Sequence, residues 1–293
     1  MKILLLTDFS AASKHAIAYA QALFADTAAD FCFLYACPIE PEMEYAGATL
    51  LAERWQAAEP KLVQLRAEMT QQPEPGYHTY RTLLKMGAPT EIVNQLQDED
   101  PFDLIVLGAS GSGWSEWMGS VATDMVREAK TNVLVVPAAA PIRPLEQLVL
   151  ATDYRSINNT KSLTLLDDLA SRKAAQLILL TIENPQRPGT HTPVPAREFV
   201  LAALDNVQTT TYTIHDDNVL HGINTYLKTH TVDLLVMVPH HKSLFDVLSR
   251  NSISRSIAFH PSVPLLTLYD EAIPPVTTNE SSAIDEIPFA TYL

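Results

Sequence analysis

The sequence predicts an α/β protein of two tandem domains, in which each domain is a five-stranded parallel sheet with helices on both faces. Two observations lead to this fold. Apolar runs of strand length alternate with amphipathic helices, and the whole pattern occurs twice along the chain. The runs are continuously apolar, which is typical of parallel strands that are buried on both faces. The length of 293 residues also fits two domains of roughly 150 residues each.

Each half opens with an apolar run that ends in Thr-Asp, at residues 7–8 and 152–153. The helix that follows has one face with the i, i+1, i+4, i+7, i+8 spacing of a buried helix face. This face consists of Ala16, Ile17, Ala20, Leu23 and Phe24 in the first half, and of Ser162, Leu163, Leu166, Leu169 and Ala170 in the second.

The later elements recur in the same order, which indicates a duplicated unit. Pro89 is expected in the first turn of a helix, because its fixed φ and missing N–H suit that position. A long helix within residues 40–70 is expected to cover the sheet through Leu50, Leu51, Trp55, Leu62 and Leu65. The corresponding strand-like runs are residues 31–36 and 177–182, 77–84 and 207–214, 103–108 and 233–238, and 132–137 and 263–268.

The repeat also predicts where the domains end. We expect one domain over residues 1–138 and a second over 146–269, since the connector between them contains Pro141 and Pro144 and has no periodicity. Residues 270–293 are acidic, contain several prolines and follow neither pattern. They are expected to form a flexible tail.

The composition argues against several partners and locations. The formal net charge is −14, and the basic residues are spread along the chain. Such a protein repels phosphate backbones and anionic lipid, so nucleic acid and membranes are unfavourable partners. The first apolar run is too short for a signal peptide, and no apolar stretch approaches the length of a membrane span. We therefore expect a cytoplasmic protein.

The cysteines and the paired histidines do not predict a metal site. Cys32 and Cys37 are five residues apart on a strand and face opposite sides. We expect both to be reduced, buried thiols. His240 and His241 are adjacent, and no cysteine or carboxylate pattern joins them. Solvated loop histidines are the favoured interpretation, with a metal site as the alternative.

Asp8 is the first candidate for ligand binding, because it follows the first strand of the predicted sheet. Ligands of open parallel sheets bind beyond the carboxyl ends of the strands, where the strand order reverses. A carboxylate there accepts hydrogen bonds from a ribose or a base. Alternatively, Asp8 stabilises the start of the next helix near Ser10.

The run GASGSGWSEWMGS, at residues 108–120, is the second candidate. Glycines allow backbone amides to approach a phosphate, and a helix that opens at Gly119 and Ser120 would add free N–H donors. The alternative is a glycine-rich turn without a ligand. The run is neither a Walker A loop nor a dinucleotide fingerprint. Trp114 and Trp117 are expected to serve packing, with a wall of the ligand site as the alternative.

Together these residues resemble the universal stress protein family. The resemblance rests on the strand that ends in Thr-Asp, on Gly-x-x-Gly after strand four, on Gly-Ser-Val and on VLVVP, and it covers nearly the whole chain as two successive domains. It implies a Rossmann-like (adenine nucleotide alpha hydrolase-like) sandwich in each half. Asp8 would hold ribose or adenine, Ala36 would line the adenine pocket, and the glycine run would cradle the phosphates. The implied nucleotide-binding residues are Thr7, Asp8, Ala36, Leu107, Gly108, Gly111, Gly119, Ser120 and Val121.

Family members dimerise by pairing the fifth strand of the sheet. By this resemblance we expect residues 132–137 and 263–268 to pair within the chain, because both runs are uniformly apolar and poorly suited to an exposed edge. A homodimer and an unidentified protein partner are further expectations.

Two departures from the family pattern concern the site. Only seven residues separate Gly111 from Gly119, so the loop is shorter than in nucleotide-binding members. In the second half, the positions of Gly108, Gly111 and Gly119 are occupied by Val238, His241 and Asn251, whereas Ser252 retains the serine. Side chains there would fill the phosphate path, so the second site is expected to be unable to hold a triphosphate.

Three function classes follow. The first is a stress-response sensor or regulator that binds ATP, ADP or AMP in the N-terminal domain, with no metal beyond the Mg²⁺ that accompanies the nucleotide. The second is a protein–protein adaptor without nucleotide binding. The third is an ATP hydrolase, which the sequence supports least, because no nucleophile–base pair stands out and at most weak hydrolysis is expected.

Overall fold

The computed structural model describes residues 1–37, 43–70, 76–109, 114–154, 157, 159–185, 194–238 and 263–270. In the described residues up to 238, strands and helices alternate within each half, as the sequence predicts. The helix expected between the last two strands, the tail beyond residue 270 and the histidine pair lie outside the described residues.

The described residues of the first half form five strands and four helices. They are β1 (Lys2–Leu6), α1 (Ala11–Leu23), β2 (Ala29–Cys37), α2 (Met43–Met69), β3 (His78–Met86), α3 (Pro89–Glu99), β4 (Leu104–Ala109), α4 (Trp114–Glu128) and β5 (Asn132–Pro137).

The second half repeats this order in the part of it that the structure describes. Its elements are β6 (Gln147–Ala151), α5 (Thr164–Lys173), β7 (Gln176–Glu183), α6 (Val194–Ala203), β8 (Thr209–His215), α7 (Val219–Thr229), β9 (Leu234–Met237) and β10 (Leu265–Thr267). A short 3-10 helix, Thr160–Leu163, precedes α5 directly, and the Asn159 side chain caps it.

The described strands of both halves form one ten-stranded sheet. Its order is β3-β2-β1-β4-β5-β10-β9-β6-β7-β8, and the strands within each half are parallel. The two fifth strands, β5 and β10, are neighbours in this sheet and run antiparallel. The two predicted five-stranded sheets are therefore continuous with each other.

The pairing of β5 with β10 has two-fold symmetry. Leu134 pairs with Val106 of its own half, and Leu266 pairs with the equivalent Val236. Leu134 and Leu266 are thus counterparts, and they face each other across the junction. A local two-fold axis passes between them. The sequence comparison aligned Leu134 with Leu265 and was wrong by one residue, because two continuously apolar runs contain no alternation that fixes their register.

Two apolar layers cover the sheet, and each layer runs through both halves. Helices α1, α2, α5 and α6 cover one face, and α3, α4 and α7 cover the other. All ten residues predicted for the buried faces of the first helix in each half are buried. Of the residues predicted to make α2 cover the sheet, Leu62 and Leu65 are buried and Trp55 is partly buried. The side chains of Leu50 and Leu51 lie outside the description.

The cysteines are structural, as predicted. Cys32 and Cys37 are both free and fully buried. Burial raises the pKa of the Cys32 thiol to about 11, so the thiol stays protonated at neutral pH.

A buried carboxylate fixes the connector between the halves. Asp233 precedes β9, and its side chain is only 4% exposed. One oxygen accepts hydrogen bonds from the backbone N–H groups of Glu146 and Gln147, both at 2.9 Å. The other lies 2.8 Å from Nε of Arg143, which belongs to the connector. Asp103 has the equivalent position in the first half, but it is exposed, and among the described residues its side chain accepts one backbone hydrogen bond, from Lys2 at 2.7 Å.

We predict that Asp233→Ala lowers the free energy of unfolding by roughly 2–4 kcal/mol, because two backbone donors and a guanidinium lose their buried partner. Asp103→Ala is the matched control and should cost less than about 1 kcal/mol. Urea denaturation of both variants measures the difference. Equal losses would contradict the structural role assigned to Asp233.

Candidate functional site

The strand order places a candidate site at the carboxyl ends of β1 and β4. Strands β1 and β4 are neighbours, and the chain continues from β1 to β2 but from β4 to β5, in opposite directions along the sheet. Such a reversal opens a crevice beyond the strand ends, where ligands of open α/β sheets bind. Leu5 pairs with Val106, which places Thr7 and Asp8 beside the end of β4.

The structure therefore brings several of the predicted residues to one edge. Leu6 pairs with Leu34 in β2, so the end of β2 lies on the other side of Thr7 and Asp8. Thr7 and Leu107 are buried, and Asp8 is exposed. The predicted residues at this edge are Thr7, Asp8, Ala36, Leu107 and Gly108.

A strained turn follows β1. The Thr7 N–H donates to the Leu34 carbonyl at 2.9 Å, and the Thr7 hydroxyl accepts from the Phe9 N–H at 3.0 Å. Phe9 has a φ of 65°, which is unusual for a bulky residue and persists only where surrounding contacts enforce it. Thr7 thus holds the chain in the conformation that presents Asp8 at the edge.

The second half has the same turn. Thr152 N–H donates to the Leu180 carbonyl at 3.0 Å, the Thr152 hydroxyl accepts from the Tyr154 N–H at 2.8 Å, and Tyr154 has a φ of 59°. This strain was not predicted from the sequence. The available signal was an aromatic residue after Thr-Asp in both halves, which by itself does not predict a left-handed φ.

Asp8 stabilises the start of α1, which is one of the two roles that the sequence left open. Its Oδ1 accepts a hydrogen bond from the Ser10 N–H at 3.0 Å, and Ser10 itself caps α1 by accepting from the Ser13 N–H at 3.2 Å. Partial burial acts to raise the pKa of Asp8, but the hydrogen bonds from Ser10 and Ser13 outweigh it and hold the pKa below its ordinary value. Asp8 is therefore an ionised hydrogen-bond acceptor on an exposed edge.

An aromatic pair lies next to Asp8 and was also missed from the sequence. The rings of Phe9 and Tyr35 are 4.9 Å apart, and the Lys61 ammonium lies 5.8 Å from the centre of the Phe9 ring. Both rings are partly exposed. Their counterparts in the second half, Tyr154 and Thr181, are buried. In the first half this aromatic surface is therefore partly exposed to solvent, whereas the equivalent side chains of the second half are buried.

Gly108 has a packing role. A Cβ at this position would lie 2.4 Å from the Ala12 carbonyl oxygen and 2.9 Å from the Ser13 nitrogen. Only glycine allows the first turn of α1 to approach β4 so closely. In the second half the equivalent Val238 is buried, and the helix after β6 begins only at Thr160, as a 3-10 turn.

The helix after β4 begins earlier than predicted. It starts at Trp114, so Gly119 and Ser120 lie inside α4 and do not open it. The residues from Trp114 to Met118 include no helix breaker, and one glycine in a helix interior costs only about 1 kcal/mol relative to alanine. The backbone donors that have no acceptor within the helix are those of the first turn, which begins at Trp114.

Other parts of the predicted site lie partly or wholly outside the description. Gly111 is outside the described residues, as are His241, Asn251 and Ser252 of the second half. Nothing is described for the side chains of the two tryptophans in α4. Val121 is 39% exposed. Within the described part of the chain, no group of three or more His, Cys, Asp or Glu side chains is placed to hold a metal ion.

Residues 1–137 match the model of the universal stress protein family. The N-terminal half of the chain belongs to this family. No curated protein matches the chain. Across the described residues, none of the helices has both the length and the apolar character needed to cross a membrane.

Solved structures extend the universal stress protein fold over both halves. A universal stress protein from Archaeoglobus fulgidus aligns with a TM-score of 0.66 at 12% identity, over 91% of this chain and 97% of that one. A putative universal stress protein from Pseudomonas aeruginosa aligns with a TM-score of 0.53 at 16% identity, over 91% and 92%. At such identities the likeness concerns the fold alone.

A third structure has the same fold in a different kind of protein. The cytoplasmic domain of a prokaryotic cation chloride cotransporter aligns with a TM-score of 0.51 at 10% identity, over 92% of this chain and 95% of that one. Because one fold serves several functions, the function of this chain has to be argued from its own site.

We predict that Gly108→Ala lowers the free energy of unfolding by roughly 2–3 kcal/mol, since the added methyl group meets rigid backbone. Gly76→Ala is the control, because a Cβ there has no neighbour within 4 Å, and it should change stability by no more than about 0.5 kcal/mol. Urea denaturation measures both. An unchanged stability of Gly108→Ala would show that α1 does not need the glycine.

Proposed function

We propose that this chain binds an adenine nucleotide in its N-terminal half and acts as a stress-response sensor or regulator. The observation that carries the proposal is the contrast between the two strand-end crevices. In the first half an exposed, ionised Asp8 lies next to the partly exposed rings of Phe9 and Tyr35. In the second half the residues equivalent to these two rings, Tyr154 and Thr181, are buried.

The chemistry of this edge suits a nucleoside. An ionised carboxylate accepts hydrogen bonds from ribose hydroxyls or from the amino group of adenine. The partly exposed Phe9 and Tyr35 add aromatic surface close by, which favours a planar base. We assign Asp8 the role of orienting the nucleoside, with Thr7 fixing the turn that presents it.

The phosphates require local donors, because the chain carries a net charge of −14. The start of α4 follows β4 and supplies unpaired N–H groups together with the positive end of a helix dipole. We therefore place the phosphates near the first turn of α4, and Gly111, Gly119, Ser120 and Val121 remain the residues that the family resemblance suggests. Mg²⁺ would arrive with ATP or ADP as part of the ligand.

The proposal is one of binding and not of catalysis. A general base works best when its pKa lies near the pH of the reaction. The hydrogen bonds to Asp8 move its pKa in the opposite direction. Asp8 is thus suited to hold a ligand and poorly suited to remove a proton from water, so we expect at most slow hydrolysis of ATP.

An adaptor without a nucleotide is the second candidate. Two observations favour it: Gly108 is explained by helix packing alone, and Gly119 and Ser120 lie within a helix whose interior amides are already used. In that case the fold serves as a scaffold for an unidentified protein partner.

We predict that Asp8→Asn weakens adenine nucleotide binding at least about tenfold, which corresponds to about 1.4 kcal/mol. Asparagine keeps the oxygen that accepts from the Ser10 N–H, so the start of α1 is preserved while the charge is lost. Asp153→Asn makes the same change in the second half and should leave the affinity unchanged. Calorimetric titration with ATP, ADP and AMP, in the presence of Mg²⁺, measures all three proteins.

Two results would contradict the nucleotide proposal. Absence of binding to the wild-type chain at millimolar concentrations of all three nucleotides would favour the adaptor. A loss of affinity in Asp153→Asn equal to that in Asp8→Asn would place the site elsewhere.

A further inference from the structure

Oppositely charged side chains of the two halves form ion pairs at the end of the α1/α5 layer. Asp26 follows α1, and its carboxylate lies 2.5 Å from Nη1 of Arg172 and 2.9 Å from Nζ of Lys173, both in the last turn of α5. Arg172 is also held within its own half by Asp168 at 2.9 Å, and its guanidinium lies 5.9 Å from the centre of the Phe24 ring.

Asp26 and Arg172 are counterparts in the duplicated fold. Lys2 pairs with Asp30 in the first half, and Gln147 pairs with Gln176 in the second. Asp30 is thus equivalent to Gln176, and the residues four positions earlier are Asp26 and Arg172. Two equivalent residues that touch each other must lie at the local two-fold axis. This axis therefore passes through both the Leu134–Leu266 pair and the Asp26–Arg172 pair.

At a position on a two-fold axis, each half meets the equivalent residue of its partner. Two identical halves therefore place identical side chains against each other there. In a pair of two N-terminal halves, Asp26 would face a second Asp26. In a pair of two C-terminal halves, Arg172 and Lys173 would face another Arg172 and Lys173. Only a pair of unlike halves brings opposite charges together. The basic side chains are 21% and 17% exposed, so water screens the like-charge contacts only in part.

We propose that Asp26, Arg172 and Lys173 select the partner of each half, so that the surface formed by β5 and α1 accepts a C-terminal half and rejects the N-terminal half of a second copy. The apolar strands β5 and β10 supply affinity without selectivity, since Val133, Leu134 and Val135 would pair equally well with a copy of themselves. The charges at the axis supply the selectivity.

Charge reversal in the full chain tests this proposal. Asp26→Arg brings three cations together and should lower the melting temperature by on the order of 5 °C. The combined variant Asp26→Arg, Arg172→Asp, Lys173→Asp reverses every charge and should recover most of that loss. The control Glu68→Arg disrupts the ion pair with Lys14, which lies 2.9 Å away within the first half.

Partner selection has a second, more specific readout. Asp26→Arg and the variant Arg172→Asp, Lys173→Asp each have like charges within the chain but complementary charges between chains. When the two proteins are unfolded together in urea and refolded, the halves should exchange and give a species of twice the mass of either variant refolded alone. A mixture of Glu68→Arg and Lys14→Asp should give no such species, because exchange of halves leaves that pair unrelieved.

Light scattering after gel filtration measures these masses. Recovery of stability by the full reversal, together with exchange only in the complementary mixture, supports the proposal. A wild-type melting temperature for Asp26→Arg overturns it. Masses in the complementary mixture that equal those of the separate variants also overturn it.

Discussion

The antiparallel pairing of β5 with β10 is the constraint on which the rest of the structure depends. It removes two apolar sheet edges that would otherwise face water and invite association. It also makes both core layers continuous from one half to the other. The outer edges of the sheet are then β3 and β8, and β8 is a threonine-rich, mostly exposed strand. The polar strands thus lie at the solvent-exposed edges of the sheet, and the apolar strands lie at its centre.

Features that depend on side-chain periodicity could be predicted from the sequence. The buried faces of the first helix in each half follow from their spacing, and the burial of both cysteines follows from the apolar runs around them. Features that depend on contacts between distant segments could not be predicted in this way. The need for Gly108 arises from the approach of Ala12, which is almost a hundred positions earlier in the chain. The register of β5 against β10 depends on how the two halves meet in the folded chain, so the residues of the two strands alone do not predict it.

The start of α4 shows a different reason for a wrong prediction. Gly119 and Ser120 were interpreted as the start of the helix that follows the glycine-rich run. The helical tendency of the preceding residues outweighs the modest penalty of one glycine, so the helix extends back to Trp114. The sequence therefore predicted a helix after β4 but not the residue at which it begins.

The two halves retain the same backbone turn but differ in what covers it. The left-handed aromatic residue and its threonine partner occur in both, so this strain belongs to the fold and not to a ligand. What differs is access. Asp8, Phe9 and Tyr35 border solvent in the first half, whereas Tyr154 and Thr181 fill the corresponding place in the second. Divergence after duplication has kept the turn and has buried these two side chains in the second half.

The stoichiometry of nucleotide binding tests most directly whether this difference in access has functional meaning. Calorimetric titration of the full chain with ADP and Mg²⁺ gives the number of sites without any substitution. A single nucleotide bound per chain is the result expected if only the first crevice is open. Two equivalent sites would contradict the closure of the second half, and the absence of any site would contradict the assignment of the first.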